Sequence, residues 1–256
     1  MSTQARTRSR ELRRAHAQLV AERRARRIRL IAASGGVVIV ALVVAIVVSV
    51  VGAARNTDTT TPTATPGPLV APANATAGGA IAIGAATAPV RLEVYLDYMC
   101  PYCGRFERAN SGELERLVAA GTARLELYPL SFLDRFSAGT RYSTRAANAV
   151  ATVADRAPEA VLAFNRALFN AQPEEGSPGL SDDEIAALAL AAGVPQGVVD
   201  AFDERMFEPW LTASTAAVFQ SGITGTPTVK INGSAFTGDL FTVGPLTQAI
   251  EAAAGR

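Results

Sequence analysis

The stretch that decides the fold of this chain reads Asp97-Tyr98-Met99-Cys100-Pro101-Tyr102-Cys103-Gly104. It holds the only two cysteines of the 256 residues, three positions apart. The segment before it, Val90 to Leu96, is rich in β-branched and aromatic side chains, which is typical of a strand. The apolar residues after it recur at helical spacing, so the sequence predicts a helix that begins at the motif.

The position of the cysteines at a strand-to-helix junction predicts thiol chemistry. If Cys100 is the N-cap of the helix, Pro101 takes the first helical position, where its missing N–H costs nothing. The Cys100 sulfur then faces the free N–H groups and the positive end of the helix dipole. Both favour the thiolate, which is the attacking species in disulfide exchange. Cys103, one turn further, is then the more buried thiol that resolves a mixed disulfide.

Two other interpretations of the cysteine pair are weaker. A zinc site needs two more ligands, and the chain offers no further cysteine and a single histidine, His16, in its N-terminal tail. A structural disulfide that closes so short a loop would constrain the unfolded chain little. We therefore favour a redox-active pair and expect no metal and no cofactor.

The N-terminal residues predict a membrane anchor. Residues 1–29 contain ten arginines and two glutamates, a net of +8, whereas the remainder carries a net of −7. Residues 30–54 have no charge and no proline, and a helix of this length spans the roughly 30 Å hydrocarbon core of a bilayer. Because the basic flank comes first, the positive-inside rule predicts a cytoplasmic arm over 1–29 and an extracytoplasmic remainder. We expect a single-pass protein of the cell membrane.

Other interpretations of the N-terminus fit less well. A cleaved signal peptide usually has a shorter apolar region and a small-residue cleavage site, which is not evident here. The Arg26-Arg27 pair raises a twin-arginine export signal, but the surrounding residues match it poorly. The arginine-rich arm could bind nucleic acid, yet a topogenic signal with lipid-headgroup contact explains its charge. We expect no nucleic-acid partner.

The remaining chain reads as a linker followed by one domain. Residues 55–79 are rich in Thr, Pro and Ala without hydrophobic periodicity, which predicts a flexible linker. The domain is expected over 80–256, long enough for one core. Ile81 to Ile83 is predicted as an edge strand and Ala123 to Leu130 as a second central strand. The strand–helix–strand order implies a parallel pair, with a helix that kinks near Ser111-Gly112.

The second half of the domain is predicted to be helical until a final hairpin. Helical patterns run from about 136 to 221 and include a capping box formed by Ser181 and Glu184. A strand is expected over Thr228 to Ile231, followed by an Asn232-Gly233 hairpin turn into 234–238. Pro227 stands at the start of that strand, where cis X–Pro bonds occur. A helix over 243–254 closes the chain.

Two motifs together carry a family resemblance: residues 97–103, and Gly225-Thr226-Pro227-Thr228 running into Asn232-Gly233. With them and its element order, the chain resembles the membrane-anchored, DsbA-like thiol–disulfide oxidoreductases of the thioredoxin superfamily. The resemblance implies an α/β, thioredoxin-like fold with an inserted α-helical domain, preceded by a single N-terminal transmembrane helix. It also implies that Pro227 is cis and lies beside the two sulfurs.

Site residues follow from the resemblance one by one. Cys100 is the nucleophile and Cys103 the resolving thiol, with Pro101 and Tyr102 as the active-site dipeptide between them. The substrate-binding loop is Thr226-Pro227, whose backbone would pair with an extended substrate strand.

The sequence departs from the family pattern at two positions. Tyr102 stands where relatives often have histidine, so no imidazolium stabilises the thiolate, and we expect a less oxidising disulfide. Val94 stands where relatives often carry a buried acid. Glu93 lies on the opposite face of the strand, and Asp97 is the other acid nearby.

The resemblance implies an enzyme that forms disulfides in unfolded or reduced exported proteins and that a membrane reoxidase partner returns to the oxidised form. A membrane-tethered reductase or isomerase is an alternative with the same chemistry, because redox poise depends on electrostatics worth a few kcal/mol. A redox-silent chaperone or binding module on a thioredoxin scaffold is a further alternative. A pure binding module need not keep both cysteines, which favours the enzyme.

Overall fold

The computed structural model describes residues 69–255. The predicted arm over 1–29, the predicted membrane helix over 30–54 and the linker as far as residue 68 lie outside this range. Within 69–255, every helix is too short or too polar to cross a bilayer.

The centre of the domain is a mixed sheet of five strands in the order β1-β3-β2-β4-β5. The strands are β1 (Ile81–Ile83), β2 (Val90–Leu96), β3 (Ala123–Pro129), β4 (Thr228–Ile231) and β5 (Ser234–Ala235). The pair β2–β3 is parallel, with Val94 opposite Leu127, whereas the other neighbours are antiparallel. The predicted strand–helix–strand unit and edge strand are therefore confirmed.

The described part of the chain also contains seven α-helices. They are α1 (Pro101–Ala119), α2 (Tyr142–Arg156), α3 (Val161–Asn170), α4 (Asp182–Ala191), α5 (Gln196–Val199), α6 (Glu208–Gln220) and α7 (Pro245–Ala254). Helix α1 connects β2 to β3 and is continuous through Ser111-Gly112, where we expected a kink. Helices α2 to α6 form the predicted insertion between β3 and β4. The capping box at Ser181 and Glu184 begins α4 as predicted.

The core lies on both faces of the sheet. Alternate residues of β2, namely Leu92, Val94 and Leu96, are fully buried in the main apolar cluster. On the opposite face, Tyr95 stacks on Tyr128 with ring centroids 4.2 Å apart. Because both faces are covered, β2 reads as a nearly continuous apolar strand, as expected for a central strand beside a parallel partner.

The final hairpin is shorter than predicted. Asn232 and Gly233 have φ values of 51° and 83°, which is the type I′ geometry that the Asn-Gly pair predicts. Strand β5, however, ends at Ala235 rather than at residue 238. The closing helix begins at Pro245, two residues after the predicted start at 243. Gly244 has a φ of 114°, which lies outside the helical region.

The predicted boundary between linker and domain is wrong by several residues. The Ala73 N–H donates to Asp155 Oδ1 over 2.8 Å, and Ala75 forms a β-bridge with Ile81. The Thr76 N–H donates to the Ala80 carbonyl over 2.8 Å. The predicted linker over 55–79 therefore includes residues that belong to the folded domain. Composition misses them because hydrogen bonds hold much of this segment, and the apolar residues that pack there, such as Pro72 and Ala75, are small.

Candidate active site

The two cysteines lie at the N-terminus of α1 as predicted. Cys100 is the N-cap residue, with φ −75° and ψ 116°, and Pro101 is the first helical residue. The Cys103 N–H donates to the Cys100 carbonyl over 3.0 Å and closes the first turn. Both thiols are free, and Cys103 is fully buried whereas Cys100 retains 5% exposure. The predicted difference in burial is present.

The environments of the two sulfurs push their acidities apart. Hydrogen bonds from the Cys103 side chain, the Thr226 side chain and the N–H groups of Cys103 and Tyr102 stabilise the Cys100 thiolate. Together they outweigh burial and lower the pKa of Cys100 to about 6. Burial and the neighbouring Cys100 sulfur raise the pKa of Cys103 well above its ordinary value. At neutral pH the reduced site therefore holds one thiolate, at Cys100, and one thiol, at Cys103.

The predicted substrate-side loop meets the cysteines in space. The peptide bond between Thr226 and Pro227 is cis, and Pro227 immediately precedes β4. Cys100 Sγ lies 3.4 Å from the Thr226 carbonyl oxygen, across 126 positions of sequence, and donates to it when the thiol is protonated. Since β4 pairs with β2, the sheet itself brings this loop to the strand end from which the motif emerges.

Beside Cys100 lies an open groove of about 550 Å³. Pro101, Tyr102 and Thr226 line it with residues from two segments that the sequence did not single out. Phe132 and Leu133 follow β3, and Phe219 comes from α6 and meets Phe132 edge to face with ring centroids 6.2 Å apart. The groove therefore presents both apolar and polar side chains next to Cys100.

Asp97 is a buried carboxyl that connects three parts of the site. Its Oδ1 accepts hydrogen bonds from the Met99 N–H at 2.9 Å and from Ser143 Oγ at 2.6 Å. Its Oδ2 accepts the Leu133 N–H at 2.9 Å. Asp97 thus joins the motif to the groove and to α2. Burial outweighs these bonds and raises the pKa of Asp97 to about 7, and the charge of Cys100 acts in the same direction.

A second buried acid, Glu107, lies one turn beyond Cys103 on α1. Its Oε1 accepts from Asn165 Nδ2 at 3.0 Å, and Asn165 Oδ1 accepts from the Tyr98 hydroxyl at 2.9 Å. Burial raises the pKa of Glu107 to about 7. The sequence analysis missed Glu107, although its signal was present: it stands four residues after Cys103, on the buried face of the helix.

Gln172 is a further site residue that the sequence did not indicate. Its Nε2 donates to the Cys100 carbonyl at 2.8 Å and to the Tyr98 carbonyl at 3.1 Å. The segment after α3 thus fixes the backbone of the motif. The amide lies so close to α1 that a Cβ at Gly104 would collide with Gln172 Oε1.

Comparison with known proteins agrees with this geometry. The family model described as Thioredoxin (Thioredoxin_4) matches residues 76–252. The reduced disulfide oxidoreductase DsbG of Mycobacterium tuberculosis is 26% identical, with a TM-score of 0.56 over 71% of this chain and 95% of that one. MdbA, a thiol–disulfide oxidoreductase from Actinomyces oris, is 25% identical, with a TM-score of 0.60 over 72% and 89%. Reduced DsbA from Mycobacterium tuberculosis is 25% identical, with a TM-score of 0.56 over 69% and 98%.

A curated relative has a different overall organisation. The serine/threonine-protein kinase PknE of Mycobacterium tuberculosis is 33% identical over 115 residues, which are 43% of this chain and 20% of the kinase. The chain thus spans a fifth of the length of this relative.

The fold, the thiol pair and these similarities define a thiol–disulfide oxidoreductase of the DsbA type. Since the family model covers most of its sequence, the chain belongs to the thioredoxin family.

Proposed function

We propose that this enzyme forms disulfide bonds in unfolded or reduced exported proteins. The observation that carries the proposal is the position of Cys100 at the N-terminus of α1 and at the edge of an open groove, a position that lowers its pKa to about 6. A thiol of low pKa is a good leaving group, and a disulfide that contains it is readily attacked. The proposal places the catalytic domain outside the cytoplasm, anchored by residues 30–54, as the charge distribution of the sequence predicts.

In the proposed reaction, a substrate thiolate attacks Cys100 Sγ of the oxidised enzyme. The S–S bond to Cys103 breaks, and Cys103 leaves with the electron pair and takes up a proton, in keeping with its raised pKa. A second substrate thiolate then attacks the substrate sulfur of the mixed disulfide and releases Cys100 as a thiolate. Two substrate thiols become one disulfide, and the enzyme disulfide becomes two thiols. A membrane reoxidase partner would remove these two electrons from the reduced enzyme.

The roles of the loop and the groove follow from their positions. Thr226 offers backbone groups to an extended substrate strand next to Cys100. Phe132 and Phe219 provide an apolar surface for side chains of an unfolded segment. Neither contact requires a particular sequence, which suits an enzyme with many substrates.

The experiment that tests the proposal is the reduction potential of the Cys100–Cys103 pair in the full-length chain, equilibrated with glutathione. A value nearer to about −120 mV than to about −270 mV supports a disulfide donor. A value near about −270 mV overturns the proposal and favours a tethered reductase. In parallel, Cys100→Ser is expected to abolish the oxidative refolding of a reduced, unfolded substrate protein. If Cys100→Ser keeps full activity, the mechanism is wrong.

A further inference from the structure

Arginines without an ion-pair partner among the described residues lie in the groove of Cys100 and in a second cavity. Residues 69–255 carry twelve arginines and lysines against twenty aspartates and glutamates, a net of −8. Seven of the twelve cations form ion pairs with a carboxylate within this range. Three of the five that do not are Arg135, which lines the groove beside Cys100, and Arg105 and Arg108, which line a second cavity with Phe241. We call these three residues the arginine rim.

Aromatic rings, not carboxylates, hold two of the rim arginines. The Arg135 guanidinium lies 4.6 Å from the centroid of the Phe136 ring and lines the same groove as Cys100. The Arg105 guanidinium lies 4.6 Å from the Phe241 centroid and 5.7 Å from the Tyr102 centroid. Stacking of this kind orients the planar group while its N–H donors stay available to a ligand.

Few acidic groups oppose the rim. Glu175 is the single carboxylate among the described residues that line either cavity. Asp239 lies near Arg105, but its two oxygens accept the Phe241 N–H at 2.7 Å and Thr242 Oγ1 at 2.8 Å. It forms no ion pair with a described residue. The two cavities together thus carry three arginines and one glutamate, on a domain that is otherwise acidic.

We propose that the arginine rim selects protein substrates whose reacting cysteine lies in an acidic segment. Guanidinium groups bind carboxylates through paired hydrogen bonds, and positive charge around a reactive atom raises the rate of encounter with anionic partners. Arg135 lines the groove beside Cys100, and Arg105 lies close to the Tyr102 ring of the same groove, so acidic residues near the substrate cysteine meet an arginine. This inference rests on the proposed oxidase function and names its substrate class.

The test uses the oxidised full-length chain and three synthetic peptides. Each peptide has two cysteines, flanked by glutamate, glutamine or lysine. Flanking charges also change peptide thiol reactivity, so each rate is divided by that of the same peptide with bis(2-hydroxyethyl) disulfide, which is neutral. The normalised rate is expected to be about tenfold higher for the glutamate than for the lysine peptide at low salt, and to converge at high salt.

Variants then assign the preference to the rim. Arg105→Gln and Arg135→Gln are each expected to lower the ratio of the glutamate to the glutamine rate about threefold. Arg105→Lys and Arg135→Lys keep the charge and are expected to retain most of the preference. Arg116→Gln, at the far end of α1, is the matched control and should leave the ratio unchanged.

Two results would overturn the inference. The first is equal normalised rates for all three peptides, which leaves the oxidase proposal intact because the peptides are still oxidised. The second is an acidic preference that survives both Arg→Gln variants. If equal peptide rates are accompanied by weaker binding of both variants to phosphatidylglycerol vesicles, the rim is a lipid contact. Failure to oxidise any peptide would instead refute the proposed function on which the inference rests.

Discussion

Replacing the buried acid Glu107 by glutamine should stabilise the protein at alkaline pH and not at acidic pH. Burial raises the pKa of Glu107 to about 7 from an ordinary value of 4.5, which corresponds to about 3 kcal/mol between its charged and neutral forms. The charged form is the disfavoured one, so the wild-type chain loses stability as the pH rises from about 4.5 to 7. Glutamine keeps the oxygen that accepts from Asn165 Nδ2 and cannot ionise.

The charges around Glu107 do not change this sign. Glu115 raises its pKa further, and Arg166 lowers it by less than burial raises it. Asp97 has a raised pKa as well, but it is present in both proteins and cancels in their difference. The free energy difference between Glu107→Gln and wild type should therefore rise from within about 1 kcal/mol at pH 5 to about 3 kcal/mol at pH 8.

The assay is urea unfolding of the reduced full-length chain at both pH values, followed by the fluorescence of Trp210, the single tryptophan. With a slope of about 2 kcal/mol per molar urea, the midpoint at pH 8 should increase by about 1.5 M. Glu159→Gln, which replaces an exposed carboxyl, is the control and should show no such pH dependence. If Glu107→Gln destabilises the protein equally at both pH values, Glu107 is a well-partnered carboxylate and the reasoning fails.

Other predictions concern the motif and its helix. Alkylation of Cys100 in the reduced enzyme should follow a titration centred near pH 6, measured by mass spectrometry. Below about pH 6.5, where histidine is protonated, Tyr102→His should lower the pKa of Cys100 further. The disulfide should become more oxidising, by about 30 mV for each 1.4 kcal/mol by which the thiolate is stabilised, measured against glutathione. Gly104→Ala should destabilise the chain by about 1–3 kcal/mol in urea, because its Cβ displaces the Gln172 amide from two carbonyls. Gly112→Ala, on the same helix and with open space around it, should instead stabilise by about 0.5–1 kcal/mol.

Local sequence was sufficient for the thiol pair and the elements that hold it. The β-branched run of β2, the Pro at the first position of α1 and the Asn-Gly turn each act over a few residues. They predicted the strand, the N-cap position of Cys100 and the hairpin, all of which the structure contains. Boundaries set by hydrogen bonds with distant residues were predicted less well. The segment around Ala73 was taken for linker because its partner, Asp155, lies 82 positions away.

The sequence by itself thus predicted which atoms react and determined which end of which helix presents them, since capping and strand periodicity are local properties. Only the tertiary structure decided what surrounds these atoms. It brought Thr226 to Cys100, built the groove from Phe132 and Phe219, and placed Gln172 on the backbone of the motif. The physical reason is that desolvation, stacking and long-range hydrogen bonds depend on neighbours from other segments, and these neighbours set the pKa of each thiol and carboxyl.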